Sequence, residues 1–107
     1  MKFKMSSNFA LRTDRVEDAL DFYTRVLGFD NRSTDPQSAD LDASPFTFYV
    51  LPDHEPRGPV LELFVDDLEQ ARLELIANGC TILRWEGKGR DCYAQDPFGI
   101  VFNIWEA

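Results

Sequence analysis

The sequence is poor in the residues from which metal sites and disulfide frameworks are built. It has one histidine, His54, and two cysteines, Cys80 and Cys92. A site with two histidines is therefore impossible within one chain. A predicted hairpin turning at residues 86–89 sets Cys92 opposite about residue 83, so the two thiols lie roughly 10 Å apart along the strands, too far for a disulfide. We expect both cysteines to be reduced and structural, because the sequence pattern places no histidine near either thiol to act as an activating base.

Basic residues and long apolar runs are also scarce. The chain has 19 acidic residues against 11 basic ones, a net charge of −8, which argues against nucleic acid as a partner, since binding phosphates needs a basic face. The same charge suits a cationic ligand, although a solvated acidic surface explains it more simply. No run approaches the roughly 20 apolar residues of a membrane span, and residues 1–5 lack the apolar stretch of a signal peptide. We therefore predict one cytoplasmic domain with no membrane partner.

One arrangement of residues occurs twice along the chain. A segment of period-two alternation containing Phe9 and Leu11 precedes a helix start at Asp14, and an equivalent segment precedes Asp66, 52 residues later. Each helix is followed by a glycine stop, Gly28 or Gly79, and then by further strands. The pattern predicts an α+β fold of two tandem βαβββ units, at residues 1–52 and 59–107, joined by a proline-rich linker at 53–58.

Several short motifs carry a resemblance to a known family. They are, in order, Leu11-Arg12-Thr13, Phe22-Tyr23, Leu27-Gly28-Phe29, Val65-Asp66-Asp67, Asn78-Gly79-Cys80 and Asp96-Pro97-Phe98-Gly99. With this order and the duplicated units, nearly the whole chain resembles the vicinal oxygen chelate superfamily, which includes glyoxalases, bleomycin-resistance proteins and extradiol dioxygenases. The resemblance implies a curved mixed sheet that forms a trough, with the helices on its outer face.

Alternation along the first strand of each unit predicts which side chains face that trough. Phe9 and Leu11, like Leu61, Leu63 and Val65, should face the helices. The intervening residues should then face the trough: Asn8, Ala10, Arg12, Val60, Glu62 and Phe64.

Enzymes of the resembled family typically hold a divalent metal with four histidine or glutamate side chains. Aligned through the motifs above, the four positions here are Asn8, Leu51, Val60 and Asn103. None of them is an imidazole or a carboxylate, and neutral amides are weak ligands for transition metals. We therefore predict no metal and no cofactor. Asn103 stands where a metal-using relative has glutamate, and its amide either contacts a ligand or is satisfied by backbone or water.

The remaining trough positions predict a small-molecule pocket rich in aromatic side chains. Thr47, Val101 and Tyr93 complete its lining, and core packing is the competing explanation for each aromatic residue. Arg12 and Glu62 are expected to form an ion pair across the trough. The predicted ligand-binding residues are Asn8, Arg12, Tyr49, Glu62, Phe64, Trp85, Asn103 and Trp105.

These features favour a metal-free binding protein that sequesters a small aromatic or cationic compound, such as an antibiotic. By resemblance to the bleomycin-resistance proteins it should be a homodimer, with the units paired either within one chain or across the dimer. An alternative is a lyase, isomerase or dioxygenase-related enzyme, in which Glu62 acts as a general base or a metal binds at a non-standard site. A third alternative is an interaction module with no small ligand.

Overall fold

The computed structural model describes residues 1–35 and 37–107. Its eight strands are β1 (Lys4–Thr13), β2 (Asp30–Asn31), β3 (Ala39–Ala43), β4 (Phe46–Pro52), β5 (Arg57–Val65), β6 (Thr81–Trp85), β7 (Cys92–Gln95) and β8 (Val101–Glu106). The helices are α1 (Val16–Asp21), which continues into a π-helical segment (Phe22–Val26), and α2 (Leu68–Ala77). The order strand, helix, three strands occurs twice, which confirms the predicted α+β class and βαβββ repeat.

The chain divides into two compact units. The N-terminal unit is Ser7–Pro59, and the C-terminal unit combines Met1–Ser6 with Val60–Ala107. In the N-terminal unit the strand order is β2-β3-β4-β1, with β1 and β4 parallel. In the C-terminal unit the order is β5-β8-β7-β6, with β5 and β8 parallel. The first strand of each unit therefore pairs with its last strand.

Each unit buries one face of its strands against its own helix. In the C-terminal unit, Leu63, Val65 and Ile104 pack with Leu68 and Ala71 of α2. In the N-terminal unit, strand residues Phe9, Leu11, Phe48 and Val50 pack with helix residues Val16, Ala19, Leu20 and Tyr23. The predicted orientation of Phe9, Leu11, Leu63 and Val65 toward the helices is confirmed. The opposite side of each unit's strands, which we call its helix-free face, carries the alternate residues.

The helix ends explain why these segments start and stop where they do. Gly28 and Gly79 follow the helical segments with φ of +77° and +93°, a left-handed conformation that glycine adopts without strain. The predicted N-caps, Asp14 and Asp66, are each one residue too early. Asp67 caps α2 and accepts a hydrogen bond from the Gln70 backbone N–H at 3.0 Å, whereas Arg15 precedes α1 with no side-chain cap.

No helix in the described part of the chain is long and apolar enough to cross a membrane.

Candidate functional site

A row of four polar side chains crosses the helix-free face of the C-terminal unit. Glu62 on β5 lies in register with Asn103 on β8. Asn103 in turn faces Tyr93 on β7, and Tyr93 faces Arg84 on β6. Cross-strand neighbours project from the same side of a sheet. The row therefore begins with a carboxylate, passes through an amide and a phenol, and ends with a guanidinium.

The guanidinium end of this row is fixed in place. Arg84 lies over the Tyr93 ring, with its Cζ 5.4 Å from the ring centroid, a cation–π distance. Its Nη1 also lies 3.3 Å from the Asp91 carboxylate. Tyr93 is only 1% exposed. Charge at this end of the row is thus already balanced within the unit.

Asn103, in the middle of the row, uses its side-chain oxygen to complete the backbone. Its Oδ1 accepts a hydrogen bond from the Cys92 backbone N–H at 3.1 Å. Tyr93 and Asn103 form the last pair between β7 and β8, and Cys92 lies one residue beyond it. The Asn103 side chain thus replaces the backbone carbonyl that would accept from the Cys92 N–H if the two strands stayed paired further. Because this bond turns the oxygen toward the backbone, the donor that Asn103 offers to a ligand is its NH₂ group.

Aromatic side chains form the next row on the same face. Phe64 on β5 lies in register with Trp105 on β8. Trp105 Nε1 is buried and has no hydrogen-bond partner among the described residues. A buried N–H without an acceptor costs free energy, about 1–3 kcal/mol. The indole is therefore the least satisfied polar group in these two rows.

The N-terminal unit presents a different helix-free face. The parallel register of β1 and β4 pairs Asn8 with Thr47, Ala10 with Tyr49 and Arg12 with Leu51. Beside them, Arg32 Nη2 reaches both Asp40 Oδ1 at 3.0 Å and Thr47 Oγ1 at 3.2 Å. This second face is bordered by an ion pair and carries one aromatic ring, Tyr49.

The register also corrects one predicted ligand position. Asn103 pairs with Glu62, and 52 residues before Glu62 stands Ala10, whose partner on β4 is Tyr49. The N-terminal counterpart of Asn103 is thus Tyr49. The predicted counterpart, Leu51, is wrong by two residues, which is one period of the strand's alternation. The reason is length: between the two paired strands, the C-terminal unit contains two more residues than the N-terminal unit.

The four positions do not fit the divalent metal that the family resemblance implies for its enzymes. With Tyr49 in place of Leu51, they are Asn8, Tyr49, Val60 and Asn103. Val60 is 2% exposed and has no donor atom, and the oxygen of Asn103 is engaged with the backbone. No group of three or more His, Cys, Asp or Glu side chains within residues 1–35 and 37–107 could hold a metal ion. A carboxamide and a phenol remain, neither of which matches the imidazole and carboxylate ligands of transition-metal sites.

Trp85 does not lie where the sequence predicted. Its side chain packs against the helix-side core, with Cys92 as its cross-strand partner. A β-bulge between Ile82 and Arg84 shifts the alternation of β6, which turns Trp85 toward α2 and Arg84 toward the helix-free face. The bulge and the longer turn also pair Cys92 with Trp85 and not with residue 83. Trp85 is therefore part of the core and is removed from the predicted ligand-binding set.

The other predicted residues divide between the two helix-free faces. Asn8, Arg12 and Tyr49 lie on the N-terminal face, whereas Glu62, Phe64, Asn103 and Trp105 lie on the C-terminal face. Arg12 and Glu62 each take part in interactions, and their predicted ion pair stays a prediction, as do the ligand contacts of the whole set.

The two thiols are in surroundings that suppress nucleophilic reactivity. Both are free, and Cys92 is buried. Burial raises the pKa of Cys80 and of Cys92, because the thiolate would lose its hydration. A thiol with a raised pKa is mostly protonated at neutral pH, which agrees with a structural role for both cysteines.

The sequence interpretation missed a cavity in the N-terminal unit. It has a volume of about 400 Å³ and lies on the helix side of the strands. Its aromatic lining is Phe9, Tyr23, Phe29 and Phe48. The available signal was the set of aromatic residues in this half of the chain, for which core packing was the competing explanation.

Comparison with solved structures shows that the fold is shared with a Mn(II)-bound glyoxalase and with a dioxygenase. The Mn(II)-bound glyoxalase from Novosphingobium aromaticivorans superposes with a TM-score of 0.59 and 17% identity, over 96% of this chain and 38% of that one. Homoprotocatechuate 2,3-dioxygenase from Brevibacterium fuscum, in complex with 3,4-dihydroxyphenylacetate, gives 0.64 and 17%, over 98% and 37%. This chain thus spans less than two-fifths of either enzyme, and the likeness at this identity is one of fold.

A relative of similar length comes from Vibrio splendidus 12B01. This glyoxalase/bleomycin resistance protein/dioxygenase superfamily member superposes with a TM-score of 0.60 and 17% identity, over 98% of this chain and 97% of that one. No curated protein sequence matches the chain significantly. Residues 7–104 match the family model of the Glyoxalase/Bleomycin resistance protein/Dioxygenase superfamily, and the chain therefore belongs to that superfamily.

Proposed function

We propose that the protein binds a small organic molecule on the helix-free face of its C-terminal unit, and that it does so without a metal. Members of this superfamily bind small molecules. The observation that carries the proposal is the hydrogen bond from the Cys92 N–H to Asn103 Oδ1. It engages one lone pair of the only side-chain atom of Asn103 able to ligate a cation and turns that oxygen toward the backbone, and it leaves an NH₂ donor for an acceptor on an organic ligand.

The chemistry of the face favours a ligand that is both aromatic and cationic. Phe64 and Trp105 are adjacent in register and offer ring surface for stacking. Glu62 places a carboxylate one row away. The net charge of −8 adds a long-range attraction for cations. Sequestration of a cationic drug by a cytoplasmic homodimer, as in bleomycin-resistance proteins, is the form of this function that we expect.

Thermal shift measurements with matched ligands test the proposal. The probes are bleomycin, the planar cation ethidium, an uncharged phenanthridine, and Mn²⁺, Ni²⁺ and Zn²⁺ salts. A ligand present at 100 times its Kd stabilises the folded state by about 2.7 kcal/mol, so a binding cation should raise Tm in a saturable manner. We expect stabilisation by at least one cationic aromatic compound and none by the metals.

The variant Glu62→Gln separates charge from shape. It keeps the size of the side chain, so it should weaken cation binding at least tenfold and leave binding of the uncharged phenanthridine unchanged. Phe98→Ala, at a turn residue that is 91% exposed, is the control variant. Stoichiometric stabilisation by a divalent metal, or turnover of a hemithioacetal or a catechol once that metal is added, would refute the proposal in favour of an enzyme.

A further inference from the structure

The cavity of the N-terminal unit lies on the opposite side of the strands from the face just described for that unit. Phe9 and Leu11 line it from β1, and Phe48 lines it from β4. These residues alternate with Asn8, Ala10 and Arg12 of the helix-free face, and alternate residues of a strand point to opposite sides. A molecule in the cavity would therefore not touch the helix-free face.

The lining of the cavity is almost entirely hydrocarbon. Four aromatic rings and Leu11 form most of the wall, and Gly58 and Pro59 at the start of β5 complete it. None of these described lining residues carries a charge. A charged ligand would lose its hydration there without gaining a partner, which is costly. The lining therefore selects uncharged molecules.

The rings that form the wall hold one another in position. Phe9 stacks on Phe48 at 4.4 Å between centroids, with an interplanar angle of 13°. Tyr23 presents its edge to Phe48 at 4.7 Å and lies nearly parallel to Phe29, 6.5 Å away. Phe48 itself is 5% exposed. A wall of rings already ordered binds a guest without a further cost in side-chain entropy.

The cavity is partly open to solvent and has the size of a ligand pocket. Ligand pockets span about 300–1,000 Å³. The volume here is about 400 Å³. Water in such an apolar space finds few polar partners, so an apolar guest that displaces it gains free energy. We propose that this cavity is a second binding site of the protein, and that its ligand is an uncharged aromatic molecule.

Gly58 sets the close approach of β5 to the cavity wall. A Cβ at this position would lie 2.7 Å from Leu11 Cδ1, closer than real contacts allow. Gly58→Ala would therefore displace the side chain of Leu11, a residue that lines the cavity. This variant perturbs the site without removing a ring.

Titration of the full chain with naphthalene, followed by amide resonances in ¹H–¹⁵N NMR spectra, tests the proposal. We expect saturable shifts confined to residues around Phe9, Phe29 and Gly58. Phe29→Ala should weaken naphthalene binding at least tenfold, and Gly58→Ala should weaken it about threefold. The Tm of each variant shows whether it folds. If Phe29→Ala does not fold, Gly58→Ala still tests the site independently. Phe98→Ala, which removes an exposed ring elsewhere, should leave the affinity unchanged.

Three results would overturn the proposal. The first is the absence of saturable shifts at any naphthalene concentration up to its solubility. The second is a set of shifts confined to Glu62, Phe64 and Trp105, which would place naphthalene on the helix-free face. The third is decane binding as tightly as naphthalene, because a site that merely excludes water would not prefer rings.

Discussion

Both units run strand, helix and three strands in the same order, yet their helices differ in kind. α2 extends for 10 residues and begins at a side-chain cap. α1 extends for 6 residues without such a cap and passes into a π-helical segment of 5 residues. Within that segment the Thr24 hydroxyl donates to the Leu20 carbonyl at 2.8 Å, a bond that competes with the regular helical ladder. The same plan therefore tolerates a regular helix in one copy and a distorted one in the other.

The packing between helix and strands is also more regular in the C-terminal unit than in the N-terminal unit. In the C-terminal unit, small residues such as Ala71 let α2 lie close to the strands, and Ala71 is 0% exposed. In the N-terminal unit, aromatic rings fill the equivalent space and leave a cavity. A duplicated fold can thus keep its backbone plan while one copy develops a polar row on its helix-free face and the other an apolar cavity behind it.

Truncation of an equivalent leucine in each unit gives the largest test of this contrast. Leu63→Ala should destabilise the protein by about 3 kcal/mol, and Leu11→Ala by about half as much, because Leu11 already borders a cavity and leaves less new void. Urea denaturation of the two variants measures both losses. Equal losses would show that the N-terminal unit is packed as tightly as the C-terminal one.

The backbone role of Asn103 should be the next largest effect. Asn103→Ala leaves the Cys92 N–H without its acceptor, which should cost about 2 kcal/mol. Gln95, an amide on the same face, donates to the Gly99 carbonyl at an exposed position. Gln95→Ala is the matched control and should cost under about 1 kcal/mol. A negligible loss for Asn103→Ala in urea denaturation would contradict the role assigned to its oxygen.

The helix starts provide a smaller difference between the units. Asp67→Ala removes the cap of α2 and should cost about 1 kcal/mol. Arg15 is the equivalent residue before α1 and makes no cap bond. Arg15→Ala should change the free energy of unfolding by less than about 0.5 kcal/mol. Thermal unfolding of both variants measures the two losses in stability. Equal losses would contradict the assignment of a side-chain cap to α2 alone.

The smallest expected effect is a pH dependence in the C-terminal unit. A hydrogen bond from Lys88, together with one from the Leu68 backbone N–H, lowers the pKa of Glu106. The folded state therefore prefers ionised Glu106, so its contribution to stability is complete above the ordinary carboxyl pKa and is lost as pH falls through the lowered value. Glu106→Gln should lose less stability than the unaltered protein between about pH 6 and about pH 3.

Thermal unfolding across that pH range measures this dependence. Asp42, whose pKa is lowered by hydrogen bonds from Ser44, is the corresponding carboxylate of the N-terminal unit. Asp42→Asn should remove its own part of the acid dependence and leave that of Glu106 intact. Identical acid dependence in Glu106→Gln and in the unaltered protein would argue against the proposed linkage.

Local patterns in the sequence were sufficient for the fold and for most side-chain orientations. Period-two alternation placed Phe9, Leu11, Leu63 and Val65 on the helix sides, because the direction of a strand residue depends only on its neighbours. Glycine stops and the repeat of 52 residues located both helices. The cap of α2 was displaced by one residue because Asp66 and Asp67 are adjacent and either aspartate suits the position. Before α1 the cap position is taken by Arg15, which makes no side-chain cap bond.

Features that depend on distant contacts were not accessible from one sequence. The bulge in β6 moved Trp85 to the core, and nothing local in Thr81–Trp85 marks an extra residue. The partner of Asn103 in the other unit was misassigned to Leu51, because the two units differ in the number of residues between their paired strands. The cavity was missed since alternation tells which side a ring occupies and not how well the rings fill that side.

The bulge also decides on which side one indole lies. Between the pairs Ile82–Ala94 and Arg84–Tyr93, β6 has one residue more than β7, and the bulge absorbs it at Leu83. If β6 instead kept simple alternation through Leu83, Trp85 would leave the hydrophobic interior and join Tyr93 on the surface proposed to meet the ligand. Deletion of Leu83 would remove the bulge and keep Arg84 and Trp85 on their present sides, so the indole owes its interior place to where the extra residue is absorbed.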